Sequence, residues 1–235
     1  PNHLMAALFL AAVVNIKPNA ILFLFAVPLG NRNLQLIYIA KTVFFGGLIL
    51  VCSLMILNFA YPDYSLVKFQ QAIGWYHAVM VEADKGTISQ HNASLLGFFV
   101  NSFGYYSYAV EVGSMILGLI VAVYITVLIV KKIADPILAW VGLAFTYTLA
   151  SPVFADYHLV IFLTVVALAQ RYMNVNKSRD DLVVGVFLSL LSLLILTPKY
   201  LFFLAPHTNA ILNSIFAFIG LVVCVFAAFK QRVHT

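Results

Sequence analysis

The sequence predicts an all-α fold, a polytopic bundle of about seven transmembrane helices with one long outer loop carrying short helices. Three observations predict it. Hydrophobic residues make up 63% of the chain and charged residues only 9%. Mean hydropathy is +1.02. Apolar runs recur along the whole length, with charges gathered between them. An ordinary soluble domain carries about 25% charged residues, so lipid is the solvent for most of this surface. Backbone groups in lipid must satisfy one another, which makes continuous apolar runs helical. The net charge of +5 then bears on orientation in a bilayer before it bears on any acidic partner, and nucleic acid is not expected.

The runs, in order, cover residues 3–29, 34–60, 107–130, 136–150, 153–172, 181–198 and 209–229. The first is broken at Lys17-Pro18, because proline removes a donor and frees the carbonyl one turn back. The second is continuous except for Lys41. Between 61 and 106 lies a polar and aromatic excursion, read as an extracytoplasmic loop, and connections of that length usually carry function or structure of their own. Within it "YSLVKFQQAIGWYHAVM" repeats apolar residues at Leu66, Phe69, Ile73 and Tyr76, a helical spacing suited to lying on a membrane or a bundle. Tyr105, Tyr106 and Tyr108 then form an aromatic belt at the next span's entrance. The fourth run, "PILAWVGLAFTYTLA", gives roughly 22 Å of helix against the ~30 Å of a hydrocarbon core. The tip of the 136–172 hairpin is therefore expected below the outer surface. Cys52 and Cys224 lie in apolar runs and read as small buried hydrophobes. The chain is read as one membrane domain, 1–235, cut from a longer polypeptide, with no signal peptide.

Basic residues orient the spans. With the 30–34 turn cytoplasmic, Arg32, Lys131, Lys132, Arg171, Lys177, Arg179, Lys230 and Arg232 share that side, against Lys68, Lys85 and Lys199 on the other. The long loop and the "ASPVFADYH" turn then face outward.

Several polar groups could carry chemistry. Lys17 lies too deep in its run to reach an interface comfortably, so it is a candidate for lining a polar cavity or for snorkelling. Asn92 in "HNASLLGFF" reads as a helix cap or an acceptor sequon. Glu111, Lys199 and His207 read as interfacial. Asp156 and His158 differ, being two titratable groups in a turn between apolar arms, where an imidazole titrates near neutrality and can act as a base. One His and one Asp are too few ligands for a metal, and no phosphate loop, CxxC pair or HExxH is present.

Four pieces, "AALFLAAVVNIKPNAILFLFAVPLGNR", "YPDYSLVKFQQAI", "ISQHNASLLGFF" and "ASPVFADYHLVIFL", together resemble the GT-C class of polyprenol-phosphate-sugar-dependent glycosyltransferases, of the glycosyltransferase family 87 (mannosyltransferase) type, over nearly the whole chain. The family's turn usually carries an aromatic, often Trp, where this chain has "FAD", and two His where this chain has Tyr157-His158. The class also places an acidic residue in an outer loop of its N-terminal half, which these residues do not contain, so the chain resembles the C-terminal part of such an enzyme. The resemblance implies a hexosyltransferase in a bacterial inner membrane with an outward-facing site, inactive as this piece alone. Its substrates would be a polyprenyl-phosphate sugar and a glycan or glycolipid acceptor in contact with membrane lipid, and no cofactor would be needed. Catalytic roles fall to His158 and Asp156, substrate binding to Lys17, Asn92, Ser94 and Tyr157. A transporter, a polymerase-like protein or a non-catalytic membrane subunit fits the hydropathy as well. A transporter, however, typically shows repeated halves, and none are found.

Overall fold

The computed structural model describes residues 3–16, 32–61, 66–79, 91–104, 106–131, 135–151, 161–176, 178–197 and 205–233. Among them the chain is all-α: α1 (His3–Ile16), α2 (Arg32–Ala60), α3 (Leu66–His77), α4 (Leu95–Phe103), α5 (Tyr108–Val130), α6 (Pro136–Ala150), α7 (Ile161–Val175), α8 (Arg179–Leu196) and α9 (Pro206–Val233). Among the described residues three segments are long and apolar enough to cross a membrane, Ile37–Ala60, Tyr108–Leu128 and Pro206–Ala228, as in a helical membrane protein. Helices α6 and α7 are apolar but shorter. The chain divides into two compact units, Pro1–Glu82 and Ala83–Thr235.

In the first unit α1 packs on α2 through small residues. Ala7 and Ala11 are fully buried, and Ala7 clusters with Tyr38, Leu10, Ile39 and Phe45. Alanine lets two backbones approach closely where hydrophobic driving force between helices is absent. The described part of α1 runs to Ile16, and the Lys17-Pro18 step, where a break is expected, lies outside the described residues. Most of α2 faces outward with Val43, Phe44, Met55 and Phe59 exposed. Cys52 is exposed there too, against the expectation of burial, because α2 is apolar all round and α1 covers only part of it. The excursion after Ala60 does form a helix, α3, with Val67 and Trp75 exposed.

In the second unit α6 is the central helix. All of Val141–Ala150 is buried, and α4, α5, α7 and α9 pack around it. Close approaches fix the register. An added Cβ at Gly118 would fall 2.3 Å from the Cβ of Ala150, and one at Gly142 3.4 Å from Ile125, so α5 runs antiparallel to α6. On the other side Gly220 admits the ring of Phe145, 2.4 Å from where its Cβ would be, and Gly142 faces Cys224, so α9 is antiparallel to α6 as well. The rings of Phe145 and Phe162 lie 5.3 Å apart, and Asn176 Nδ2 donates to Asp135 Oδ2 over 2.9 Å, which sets α7 antiparallel too. Asp135 also caps α6, its Oδ1 accepting from Ile137 N at 2.7 Å. A second clasp holds α7 to α8, with the Tyr172 hydroxyl donating to Asp181 and Ser178 capping α8.

This register has a geometric consequence. Helix α6 ends beside Gly118 and Ile215, while α5 continues back to Tyr108 and α9 to Pro206. At 1.5 Å per residue both neighbours extend roughly 14–15 Å beyond the end of α6. The described end of the short arm is recessed between longer helices, and protein on all sides is what allows it to be short.

Candidate functional site

The recess is where the unit concentrates its buried polar groups. Helix α4 supplies Asn92 and Ser94 from the chain before its first turn, α5 supplies Glu111 and Ser114, α6 ends in Thr146, Thr148 and Ser151, and α9 begins with Asn209, Asn213 and Ser214. Polar groups in an apolar environment are costly unless bonded, and most of these hydroxyls satisfy themselves locally. Thr146 donates to Gly142 O, Thr148 to Ala144 O and Ser114 to Glu111 O, at 2.8, 3.0 and 2.8 Å. Bonding a donor back to its own helix leaves the hydroxyl's acceptor capacity toward the bundle.

The "HNASLLGFF" element is built as a tight turn. Ser94, not Asn92, is the N-cap of α4, its Oγ accepting from Gly97 N at 3.0 Å. Asn92 stands outside it and accepts from Ser94 N through Oδ1 at 3.1 Å. The two side chains thus work in series: the Asx-type turn sets the extended backbone of Ser94, and Ser94 closes the helix. Gly97 is required for this, since a Cβ there would sit 1.9 Å from the carbonyl oxygen of Asn92. Asn92 and Ser94 are both buried, which is no place for a glycan on the sequon. Ser214 of α9 donates to Ser94 O over 3.1 Å, so the turn is tied to the bundle. By the α6 to α9 register, Ser214 is level with Ser151.

Glu111 is the residue that sequence reasoning undervalued. It is 4% exposed and heads the stripe Glu111, Ser114, Gly118, Ala122, Ile125 and Leu128, every member of which is buried against the bundle. Its burial follows from the rotation of α5, which turns this stripe inward and leaves Tyr108, Ile116 and Ile120 to the outside. The Tyr106 hydroxyl donates to its Oε2, so Tyr106 is a partner of the carboxylate rather than a member of a lipid-facing belt. The 3.6-residue spacing of that stripe was the available signal, and it was masked because the opposite face is equally apolar. Glu111 stands about 10 Å past the level of Ala150 along the α5 axis, on the recess side.

Asp156, Tyr157 and His158 lie outside the described residues, as does Lys17. The chain enters their segment at Ser151, buried at the end of α6, and resumes at Ile161, the start of α7. Both ends are held within the second unit. His207 is exposed at the start of α9, and Lys199 lies outside the described residues. Among the described residues no group of three His, Cys, Asp or Glu side chains could hold a metal ion. What the arrangement offers is a cluster of buried amides, hydroxyls and one carboxylate around and beyond the described end of α6, groups that hydrogen-bond hydroxyl-rich molecules. No protein-family profile, curated protein or solved structure matches this chain.

Proposed function

We propose that the chain is the C-terminal part of a membrane glycosyltransferase of the GT-C class that moves a hexose from a polyprenyl-phosphate donor to a glycan or lipid-linked acceptor on the extracytoplasmic face. The observation that supports this is the polar cluster at the described end of α6. Ser94 of the "HNASLLGFF" turn is bonded to Ser214, which is level with Ser151, the last described residue before Asp156 and His158. A lipid-phosphate sugar brings its own leaving group, so the protein has to supply a base for the acceptor hydroxyl, donors for the phosphate and a wall that keeps water out. In this reading His158 is the base, Asp156 orients it and Tyr157 stacks on the sugar. Asn92 and Ser94 shape the substrate wall, since their polar atoms hold the turn.

The test is transfer of radiolabelled mannose from a polyprenyl-phosphate donor by the intact protein in membranes. His158→Ala and His158→Gln should each lower turnover by roughly 10²–10⁴ with folded protein retained, and Asp156→Asn should lower it less. Absence of transfer from any polyprenyl-phosphate hexose, or turnover within a few-fold of wild type in His158→Gln, would sink the reading. Transport of a solute without transfer would replace it with the transporter.

A further inference from the structure

The opposite end of the second unit carries a different pattern. The antiparallel register brings together the end of α5, the start of α6, the end of α7 and the start of α8. Among the residues whose exposure is described, three cations are exposed there, Lys131, Arg171 and Arg179, and each terminates an exposed apolar stripe on its own helix. On α5 the stripe is Leu119, Val123 and Val127, exposed by 49, 45 and 41%, one turn apart and leading to Lys131. On α7 Leu163 and Ala167 lead to Arg171, and on α8 Leu182 and Val186 run inward from Arg179. The nearby carboxylates Asp135 and Asp181 point into the clasps, taking bonds from Ile137 N and Asn176 and from Tyr172 and Ser178. Asp180 is the exposed acid at this end among the described residues.

We propose that this end is a binding surface for anionic phospholipids, with acyl chains lying along the three stripes and headgroup phosphates meeting Lys131, Arg171 and Arg179. Each stripe has the length for the purpose, since two to three turns span roughly 11–16 Å, about the half-thickness of a hydrocarbon core. A cation where the apolar stripe stops is placed for a headgroup, because its alkyl stem stays on apolar surface while the charge reaches the phosphate. Guanidinium matches phosphate in geometry as well as charge, and Arg171 and Arg179 flank the α7 to α8 turn. A basic cluster on a membrane-facing surface attracts acidic lipid, each cation near the surface adding to the attraction. The stripes distinguish this surface from a site for a soluble anion, which would need the cations and not the apolar turns behind them. The inference does not depend on the transferase reading.

The experiment is thermal unfolding of the intact protein in neutral detergent with phosphatidylglycerol, phosphatidylcholine or inorganic phosphate added at matched concentration. Phosphatidylglycerol should raise Tm by about 4 °C or more, and the other two by less than half of that. The triple variant Lys131→Gln, Arg171→Gln, Arg179→Gln should keep the Tm seen in phosphatidylcholine and lose most of the phosphatidylglycerol rise. Equal rises with both lipids, an equal rise with inorganic phosphate, or an undiminished rise in the triple variant would each overturn the proposal. Should the triple variant not fold, native mass spectrometry of Arg171→Gln alone decides. Loss of co-purified acidic lipid supports the surface, and unchanged retention overturns it.

Discussion

The hydroxyl of Ser214 on α9 reaches the backbone carbonyl of Ser94 at the head of α4, 3.1 Å away and 120 residues distant in sequence. The same hydroxyl also donates to Ala210 O at 3.0 Å, so one proton is shared between its own helix and a distant turn. That turn is the one whose cap starts α4, and the contact makes the cap part of the tertiary structure. Ser214→Ala should therefore cost about 1 kcal/mol, and Ser94→Ala about as much through loss of the cap. The two are in one network, so the double variant should cost less than the sum. Unfolding of the purified protein in detergent measures all three, and strict additivity would show that the contact does not couple the helices.

Tyr106 and Glu111 should behave as a unit. Hydrogen bonds to charged groups contribute about 1.5–3 kcal/mol, and this carboxylate is enclosed by the bundle. Glu111→Ala is expected to destabilise by about 2 kcal/mol and Tyr106→Phe by somewhat less. A double-mutant cycle should return a coupling of about 1 kcal/mol or more. A coupling near zero would mean that Tyr106 faces lipid after all.

The seat of Phe145 against Gly220 should be intolerant of a methyl group. The Cβ of Gly220→Ala would fall 2.4 Å from a ring that is itself buried and packed on Phe162. Either α9 moves away or the ring leaves its place, and overpacking of this kind costs about 1–3 kcal/mol. A lowered Tm for Gly220→Ala with no change for Gly113→Ala, whose Cβ meets nothing within 4 Å, would establish the contact. Equal Tm values for the two would contradict the α6 to α9 register.

Orientation can be read by labelling. In a background of Cys52→Ser and Cys224→Ala, Lys85→Cys and His207→Cys should react with an impermeant thiol reagent from outside the cell, and Lys177→Cys should not. Reaction at 177 with protection at 85 and 207 would turn the recess to the cytoplasmic side and remove the basis for extracytoplasmic transfer.

The amino-acid pattern by itself determined where helices form. Pro136–Ala150 has the bounds read from its apolar run, and Tyr108–Val130 differs by one residue at its start. Local chemistry explains this, since Asp135 and Pro136 make a start that needs no partner elsewhere. Among the described residues three helices meet the length and apolarity of a span, and helix formation alone does not say which shorter segments cross. The tertiary structure decided which face of each helix looks inward. A helix that is apolar all round has no preferred side in its sequence, so the inward turn of Glu111, the outward turn of Cys52 and the central place of α6 came only from packing. Ser94 replaced Asn92 as the cap for a related reason, because either side chain can cap locally and the bond from Ser214 fixes the turn in which Ser94 does so. In lipid, where burial between helices brings little hydrophobic gain, close contacts between small residues such as Gly118 and Ala150 choose among the possible rotations, and such contacts exist only once the helices have met.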